Sequence, residues 1–106
     1  MRRFAGLAVC IAAALFPVVA AAECTAPPAQ PADAPAIVEA CNAMLQANPP
    51  DAERADLLMK RGRAFKRAGK LTEAAADLDE AIKLAPSDPA MRQWRAWIAI
   101  DSRDYQ

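Results

Sequence analysis

The chain has 106 residues, 13 basic and 13 acidic side chains, and no histidine, so its formal net charge is zero. Without histidine it lacks the commonest general base and the commonest metal ligand. No GxSxG, HExxH, P-loop or GxGxxG motif occurs either. We therefore expect a protein that is not an enzyme and that binds no cofactor and no metal.

The first element is an almost purely apolar run over residues 4–22, preceded by Arg2 and Arg3. A basic start, an apolar stretch and small residues at its end are typical of a secretory signal peptide. We expect residues 1–22 to be the signal peptide, with cleavage after Ala22, and the protein to be periplasmic or secreted. The alternative is an uncleaved membrane anchor, since about 19 apolar residues just span a bilayer. Pro17 and the terminal alanines favour cleavage, and hence no stable membrane anchor.

Removal of residues 1–22 leaves about 84 residues, of which 11 are basic and 13 acidic, for a net charge of about −2. A mildly acidic chain outside the cytoplasm is poorly suited to binding nucleic acid. A domain of this size buries a marginal core, so an additional constraint or a partner is expected to stabilise it.

Cysteine usage supplies a candidate for that constraint. Cys10 lies in the signal, which leaves Cys24 and Cys41, an even number in an oxidising compartment. A disulfide between them would close a loop of about 16 residues and stabilise the fold by about 3 kcal/mol through the unfolded state. Cys41 can equally be a small buried apolar residue, and both interpretations can hold together. No CxxC spacing supports a redox-catalytic role.

Residues 23–35 form the next segment, which we interpret as a proline-rich linker that is extended and mobile. Asp33 is placed to cap the helix that follows, with Pro35 in its first turn. This helix is predicted from Pro35 to about Ala47, where Asn48-Pro49-Pro50 ends it. Its apolar face consists of Ile37, Ala40, Cys41, Met44 and Leu45.

Two amphipathic helices follow. The first has Leu58, Gly62 and Phe65 at intervals of four and three residues. The second holds one apolar face over three turns, made of Leu71, Ala74, Ala75, Leu78, Ala81 and Ile82. Gly69 lies between them and suits the left-handed position after a helix end. The pattern predicts a tight antiparallel hairpin whose small residues let the two helices approach closely.

Seven residues at fixed offsets across this hairpin resemble one complete tetratricopeptide repeat, a helix-turn-helix unit of about 34 residues. They are Leu58, Gly62, Phe65, Ala74, Leu78, Ala81 and Pro86. Arg61 departs from the family pattern, which has leucine there, and should slightly loosen the packing of the first helix. The resemblance covers about a third of the chain directly.

The resemblance implies an all-α fold, namely a helix-turn-helix hairpin with one preceding and one capping helix, as in a short fragment of an α-solenoid. The helical domain would cover residues 36–106, with the full repeat at 55–88. The preceding helix resembles the second half of a truncated repeat. Its Ile-Val-Glu-Ala-Cys stretch is similar to the opening of small exported tetratricopeptide proteins of proteobacteria.

The capping helix is predicted to start at Asp88, with Pro89 at its first helical position, and to run to about Ser102. It presents Met91, Trp94, Trp97 and Ile98 on one side. The two tryptophans either pack on Leu78 and Ile82 or form an exposed aromatic anchor for a partner, since tryptophan is enriched at binding hot spots.

A run of cations lies between residues 60 and 70 with no acid among them: Lys60, Arg61, Arg63, Lys66, Arg67 and Lys70. One interpretation is a solvated surface balanced by carboxylates of the next helix, namely Glu73, Asp77, Asp79 and Glu80. The other is a ligand-binding groove. Because the first helices of this family line the groove, the resemblance implies that Asp56, Met59, Arg63 and Lys66 bind a peptide. Two cations there suit an acidic segment or a chain-end carboxylate.

The function predicted from the sequence is a non-catalytic protein–protein interaction module, an adaptor or scaffold in the bacterial cell envelope that binds a protein or peptide in a partly basic groove. One alternative is a self-associating structural element that forms a homo-oligomer, because an isolated repeat lacks neighbours and three or more are usually needed. A further alternative is an accessory subunit of an envelope complex.

Overall fold

The computed structural model describes residues 23–24 and 30–103. This part of the chain contains no strand; it has a short 3-10 helix at Pro31–Asp33 and four α-helices. The helices are α1 (Ala34–Gln46), α2 (Asp51–Arg67), α3 (Leu71–Leu84) and α4 (Pro89–Ser102). The all-α prediction is confirmed. The predicted signal peptide and its cleavage point lie outside the described residues, among which no helix is long and apolar enough to cross a membrane.

The end of the predicted linker is helical rather than extended. Pro31–Asp33 forms the 3-10 turn, in which the Asp33 N–H donates to the Gln30 carbonyl at 3.0 Å, and α1 begins at Ala34. Asp33 does occupy the N-cap position, but its backbone is helical and its side chain makes no capping hydrogen bond. Ala34 is fully buried against the rest of the fold, so packing favours a helix here.

Left-handed residues end α1 and α2. Asn48, with φ of 56°, follows α1 and accepts a hydrogen bond from Arg54 on its side-chain oxygen at 2.8 Å. Gly69, with φ of 80°, follows α2. There the Lys70 N–H donates to the Phe65 carbonyl at 2.9 Å and the Gly69 N–H to the Lys66 carbonyl at 3.0 Å, which is a Schellman motif. The predicted end of α1 at Asn48 and the predicted turn at Gly69 are both confirmed.

The helices α2 and α3 pack most closely at Gly62. A Cβ atom on Gly62 would overlap Cδ2 of Leu78 and lie 3.3 Å from the Ala74 carbonyl oxygen. Gly62, Ala74 and Leu78 are all buried, as the hairpin prediction required. The absence of a side chain at Gly62 therefore sets the separation of the two helices.

The core has two clusters, one on each side of α2. The larger joins α2 to α3 and α4 and contains Ala55, Leu58, Ala74, Leu78, Ala81, Met91 and Ile98. The smaller joins α2 to α1 and contains Cys24, Ile37, Cys41, Leu57 and Ala64. Most of the seven repeat positions lie in or against the larger cluster, with Phe65 partly buried, whereas Pro86 is exposed. Met44, predicted on the buried face of α1, is instead 42% exposed.

The predicted disulfide is present. Cys24 and Cys41 are bonded with an S–S distance of 2.03 Å and a Cα–Cα distance of 4.8 Å, and both are fully buried. Both interpretations of Cys41 therefore hold, because it is a cross-linked residue and also part of the smaller cluster. The bridge fixes the chain at Cys24 against α1 and α2.

Arg61 connects three helices. Its Nε and Nη2 donate to the two carboxylate oxygens of Asp77 on α3, at 2.8 and 2.7 Å, and its Nη1 donates to Oδ1 of Asn42 on α1 at 2.7 Å. The hydrogen bond to Asp77 raises the pKa of Arg61, and desolvation opposes it. Asp77 is buried, so its interpretation as a solvated charge was wrong. Where the family pattern has leucine, this chain has a polar cross-link.

Candidate functional site

The four residues predicted to bind a peptide lie along one side of α2. Asp56, Met59, Arg63 and Lys66 are spaced by three, four and three residues, which places them on one helix face. All four are partly buried, and Met59 packs against the larger core cluster. This side of α2 faces α4, so side chains of both helices line the surface between them.

Arg63 is the central cation of this surface. Its guanidinium carbon lies 4.3 Å from the centre of the Trp94 ring on α4, a cation–π contact. Its Nε is buried and has no hydrogen-bond partner among the described residues. Burial lowers the pKa of Arg63 by removing water from the guanidinium, and the Asp56 carboxylate partly counteracts this. No ion pair joins Arg63 to a carboxylate in the described part of the chain.

The neighbouring cations are paired. Lys66 Nζ lies 2.9 Å from Oδ2 of Asp101 on α4, and Lys60 Nζ lies 2.6 Å from Oδ2 of Asp56. Both carboxylates are close to half exposed, and exposed pairs of this kind contribute only about 0.2–1 kcal/mol. With Lys60, Arg63 and Lys66 against Asp56 and Asp101, the surface has one surplus positive charge, and Arg63 holds it.

The two tryptophans differ in their environments. Trp94 is partly buried and packs against the larger core cluster, which contains Leu78. Trp97 is 41% exposed and meets Trp94 edge-on, with ring centres 4.7 Å apart at 90°. The interpretation as core packing is thus correct for Trp94 alone, and Trp97 presents an aromatic surface to solvent beside Arg63 and Trp94.

Two other cations of the 60–70 run, Arg61 and Lys70, lie apart from this surface. Arg61 is directed toward α1 and α3 by Asn42 and Asp77, and Lys70 is exposed in the turn. The six cations therefore do not form a single basic surface. Sequence reasoning also missed Asp101 as a member of the site, because its pairing with Lys66 depends on how α4 packs across α2.

Two clefts among the described residues lie apart from this surface. A shallow cleft of about 170 Å³ lies between α1 and the end of α2, lined by Ala34, Pro35, Val38, Phe65, Ala68 and Lys70. Another, of about 210 Å³, is lined by Leu71, Thr72, Ala75, Arg95 and Ser102. Neither contains a predicted binding residue. Within residues 23–24 and 30–103, no group of three Cys, Asp or Glu side chains is placed to hold a metal ion.

Comparison of the chain with family models, with curated proteins and with solved structures finds no match. The surface between α2 and α4 is therefore the feature of this chain that bears on its function.

Proposed function

We propose that this chain is a non-catalytic protein–protein interaction module of the tetratricopeptide type, exported to the cell envelope, that holds a carboxylate-bearing segment of a partner protein at Arg63. The observation that supports it is the guanidinium of Arg63, which is stacked on Trp94 and makes no ion pair with the described residues.

An arginine in this state is suited to carboxylate recognition. Its planar donors match two carboxylate oxygens, and the Trp94 ring beneath it restricts the movement of the guanidinium. Since the guanidinium is already partly desolvated, a ligand carboxylate meets it in a less screened environment than bulk water.

The surroundings of Arg63 add to this site. The exposed part of Trp97 offers apolar contact area to the partner segment. The Lys66–Asp101 and Lys60–Asp56 pairs are weak enough for an incoming carboxylate to compete with Asp101 or Asp56. An acidic stretch or a chain-end carboxylate next to an apolar side chain is the ligand chemistry that fits.

The cellular setting is part of the proposal. The apolar N-terminal run with its basic start is the feature that favours export. The Cys24–Cys41 disulfide fits an oxidising compartment, where such bonds persist.

Capture of a partner in the native envelope tests the function. Tagged wild-type chain is cross-linked there, and bound proteins are quantified by mass spectrometry. Arg63→Gln is compared with Lys83→Gln, which removes one charge from an exposed position of α3. We expect Arg63→Gln to reduce capture of the dominant partner at least about tenfold, because a hydrogen bond to a charged group contributes about 1.5–3 kcal/mol. Lys83→Gln should leave capture unchanged.

The same capture experiment can contradict the proposal. Equal capture by wild type and Arg63→Gln would remove Arg63 from the binding surface. Recovery of only the chain's own copies would replace adaptor function with self-assembly. Thermal unfolding of Arg63→Gln serves as the folding control, and we expect a loss of only about 0.5–1 kcal/mol, the contribution of the cation–π contact with Trp94.

A further inference from the structure

The four helices form a row in which α1 and α4 are the outermost members. The principal contacts join α1 to α2, α2 to α3 and α3 to α4, with a smaller contact between α2 and α4. One side of α1 and one side of α4 therefore face away from the other described helices. We call these the outer face of α1 and the outer face of α4.

Large apolar side chains are exposed only at these two helices within the described residues. They are Met44 on α1, and Trp97 and Ile100 on α4, of which Ile100 is 58% exposed. Trp97 and Ile100 are one helical turn apart and form an apolar stripe with exposed Ala96. Aromatic and large aliphatic side chains exposed side by side on one helix face are suited to the apolar centre of an interface.

The two outer faces differ in the size of their side chains. The outer face of α4 carries the large residues Trp97 and Ile100, whereas that of α1 is built from small ones, exposed Ala36 and Ala43 with Ala40 beside them. A large side chain already packs over a small residue between two helices of the fold, where Leu78 of α3 covers Gly62 of α2. A helix with alanines on its face can approach α4 in the same manner.

The two faces also differ in charge. Within α1 the only charged residue is Glu39, which is exposed, and the outer face of α4 carries exposed Arg92. Neither makes an ion pair or a hydrogen bond with the described residues. Pairing two antiparallel α1 helices by two-fold symmetry would bring their two Glu39 side chains close together, because Glu39 lies near the middle of α1. Pairing α4 with α1 joins opposite charges.

We propose that α1 of a second copy of this chain docks on the outer face of α4, so that copies join head to tail. Such a contact uses two different surfaces, and unless rotation closes a ring it propagates into an open array. One helix pair buries less than the roughly 800 Å² per partner of a stable interface, so the association is weak and depends on concentration. The contact does not use Arg63, although Trp97 borders both surfaces.

Sedimentation of the purified chain, with its disulfide intact, tests head-to-tail assembly from about 10 µM to 1 mM, the range expected of a small interface. Ala43→Glu blocks the outer face of α1, and Ile100→Glu blocks that of α4. Ala76→Glu places the same charge at an exposed position of α3 and is the matched control. Wild type and the control should show an average mass that rises with concentration beyond that of a dimer.

Mixing the two blocked variants gives the decisive result. Each alone should stay monomeric, since it lacks one of the two surfaces, whereas an equimolar mixture should form a heterodimer and nothing larger. A wild-type chain that stays monomeric at the highest concentration overturns the proposal. So does self-association of either blocked variant alone, because that requires α4–α4 or α1–α1 pairing. Circular dichroism checks folding, and Ala36→Glu and Trp97→Glu are the second pair if a first variant does not fold.

Discussion

Gly62 and Arg61 are adjacent on α2 and secure the hairpin in different ways. Gly62 lets the backbone of α3 approach, since any Cβ there would overlap Leu78. Arg61 reaches across the same contact to the buried carboxylate of Asp77. The first residue contributes by having no side chain, and the second by neutralising a charge that would otherwise be buried alone. Substitution of either residue is therefore expected to weaken the packing of α3 against α2.

Gly62→Ala is expected to destabilise the fold by about 1–3 kcal/mol, because the added methyl group overpacks the interface between α2 and α3. Gly69→Ala is the comparison, since nothing lies within 4 Å of its Cβ position and only the left-handed φ of 80° opposes alanine. We expect Gly69→Ala to cost about 1 kcal/mol. Urea denaturation measures both. Equal stability of Gly62→Ala and wild type would contradict the close contact.

Arg61→Met is expected to cost about 3 kcal/mol, because it leaves the Asp77 carboxylate buried without its partner. The double substitution Arg61→Met with Asp77→Leu should recover most of that loss, since an apolar pair of similar volume needs no counter-ion. A double-mutant cycle by urea denaturation yields the coupling between the two positions. Additive effects of the two single substitutions would show that the pair makes no specific contribution.

The ends of the helices α1 and α4 show how similar sequence signals lead to different contacts. Asp33 and Asp88 both precede a helix with proline in its first turn. Asp88 has extended backbone, and its Oδ1 accepts a hydrogen bond from the Ala90 N–H at 3.0 Å. Asp33 has helical backbone because the 3-10 turn precedes it, and no such bond forms. Local sequence predicts both helix starts but not the capping bond.

Asp88→Ala is therefore expected to destabilise the protein by about 1 kcal/mol through loss of the cap. Asp33→Ala should change stability by no more than a few tenths of a kcal/mol, because there is no capping bond to lose. Thermal denaturation of the two variants side by side measures the difference. A loss at Asp33 as large as that at Asp88 would contradict the assignment of the caps.

On the scale of the whole molecule, a short row of helices depends on the covalent bridge at one end. The smaller core cluster holds few large side chains, and two of its members are the half-cystines Cys24 and Cys41. A domain of this size has marginal stability from its core alone. Reduction is therefore expected to act mainly on the packing of α1 against α2.

Reduction of the disulfide, or Cys24→Ala with Cys41→Ala, is expected to lower the free energy of unfolding by about 3 kcal/mol, since the bridge constrains the unfolded chain over a separation of 17 residues. Denaturation with and without reductant measures the loss. Thiol titration of the unreduced protein is the control. Two reactive thiols would contradict the presence of the Cys24–Cys41 bridge. The reductant should have no effect on the double alanine variant.

Much of the fold follows from local patterns. The apolar periods of α2 and α3, Gly69 between them and the proline-bounded start of α4 are short-range features of helix chemistry, and each lies where it was predicted. The cysteine pairing was predictable because the mature chain would contain only two cysteines. The family resemblance and the signal peptide stay predictions.

The candidate site was only partly predictable. Helical spacing placed Asp56, Met59, Arg63 and Lys66 on one side of α2, but the partners of Arg63 and Lys66, namely Trp94 and Asp101, come from a helix about 30 residues away in sequence. Periodicity determines which side of a helix a residue is on. The packing of non-consecutive helices determines which residues that side contacts.

The sequence by itself determined the helices, their ends and the hairpin, since these depend on backbone chemistry within a few residues. Only the tertiary structure decided that Arg61 neutralises a buried Asp77 and that Arg63 lies over Trp94 while Trp97 stays exposed. It also decided that α1 and α4 each have one face that the other described helices leave uncovered. The physical reason is that burial and ion pairing depend on the distances between helices, which are set by the packing of all four together.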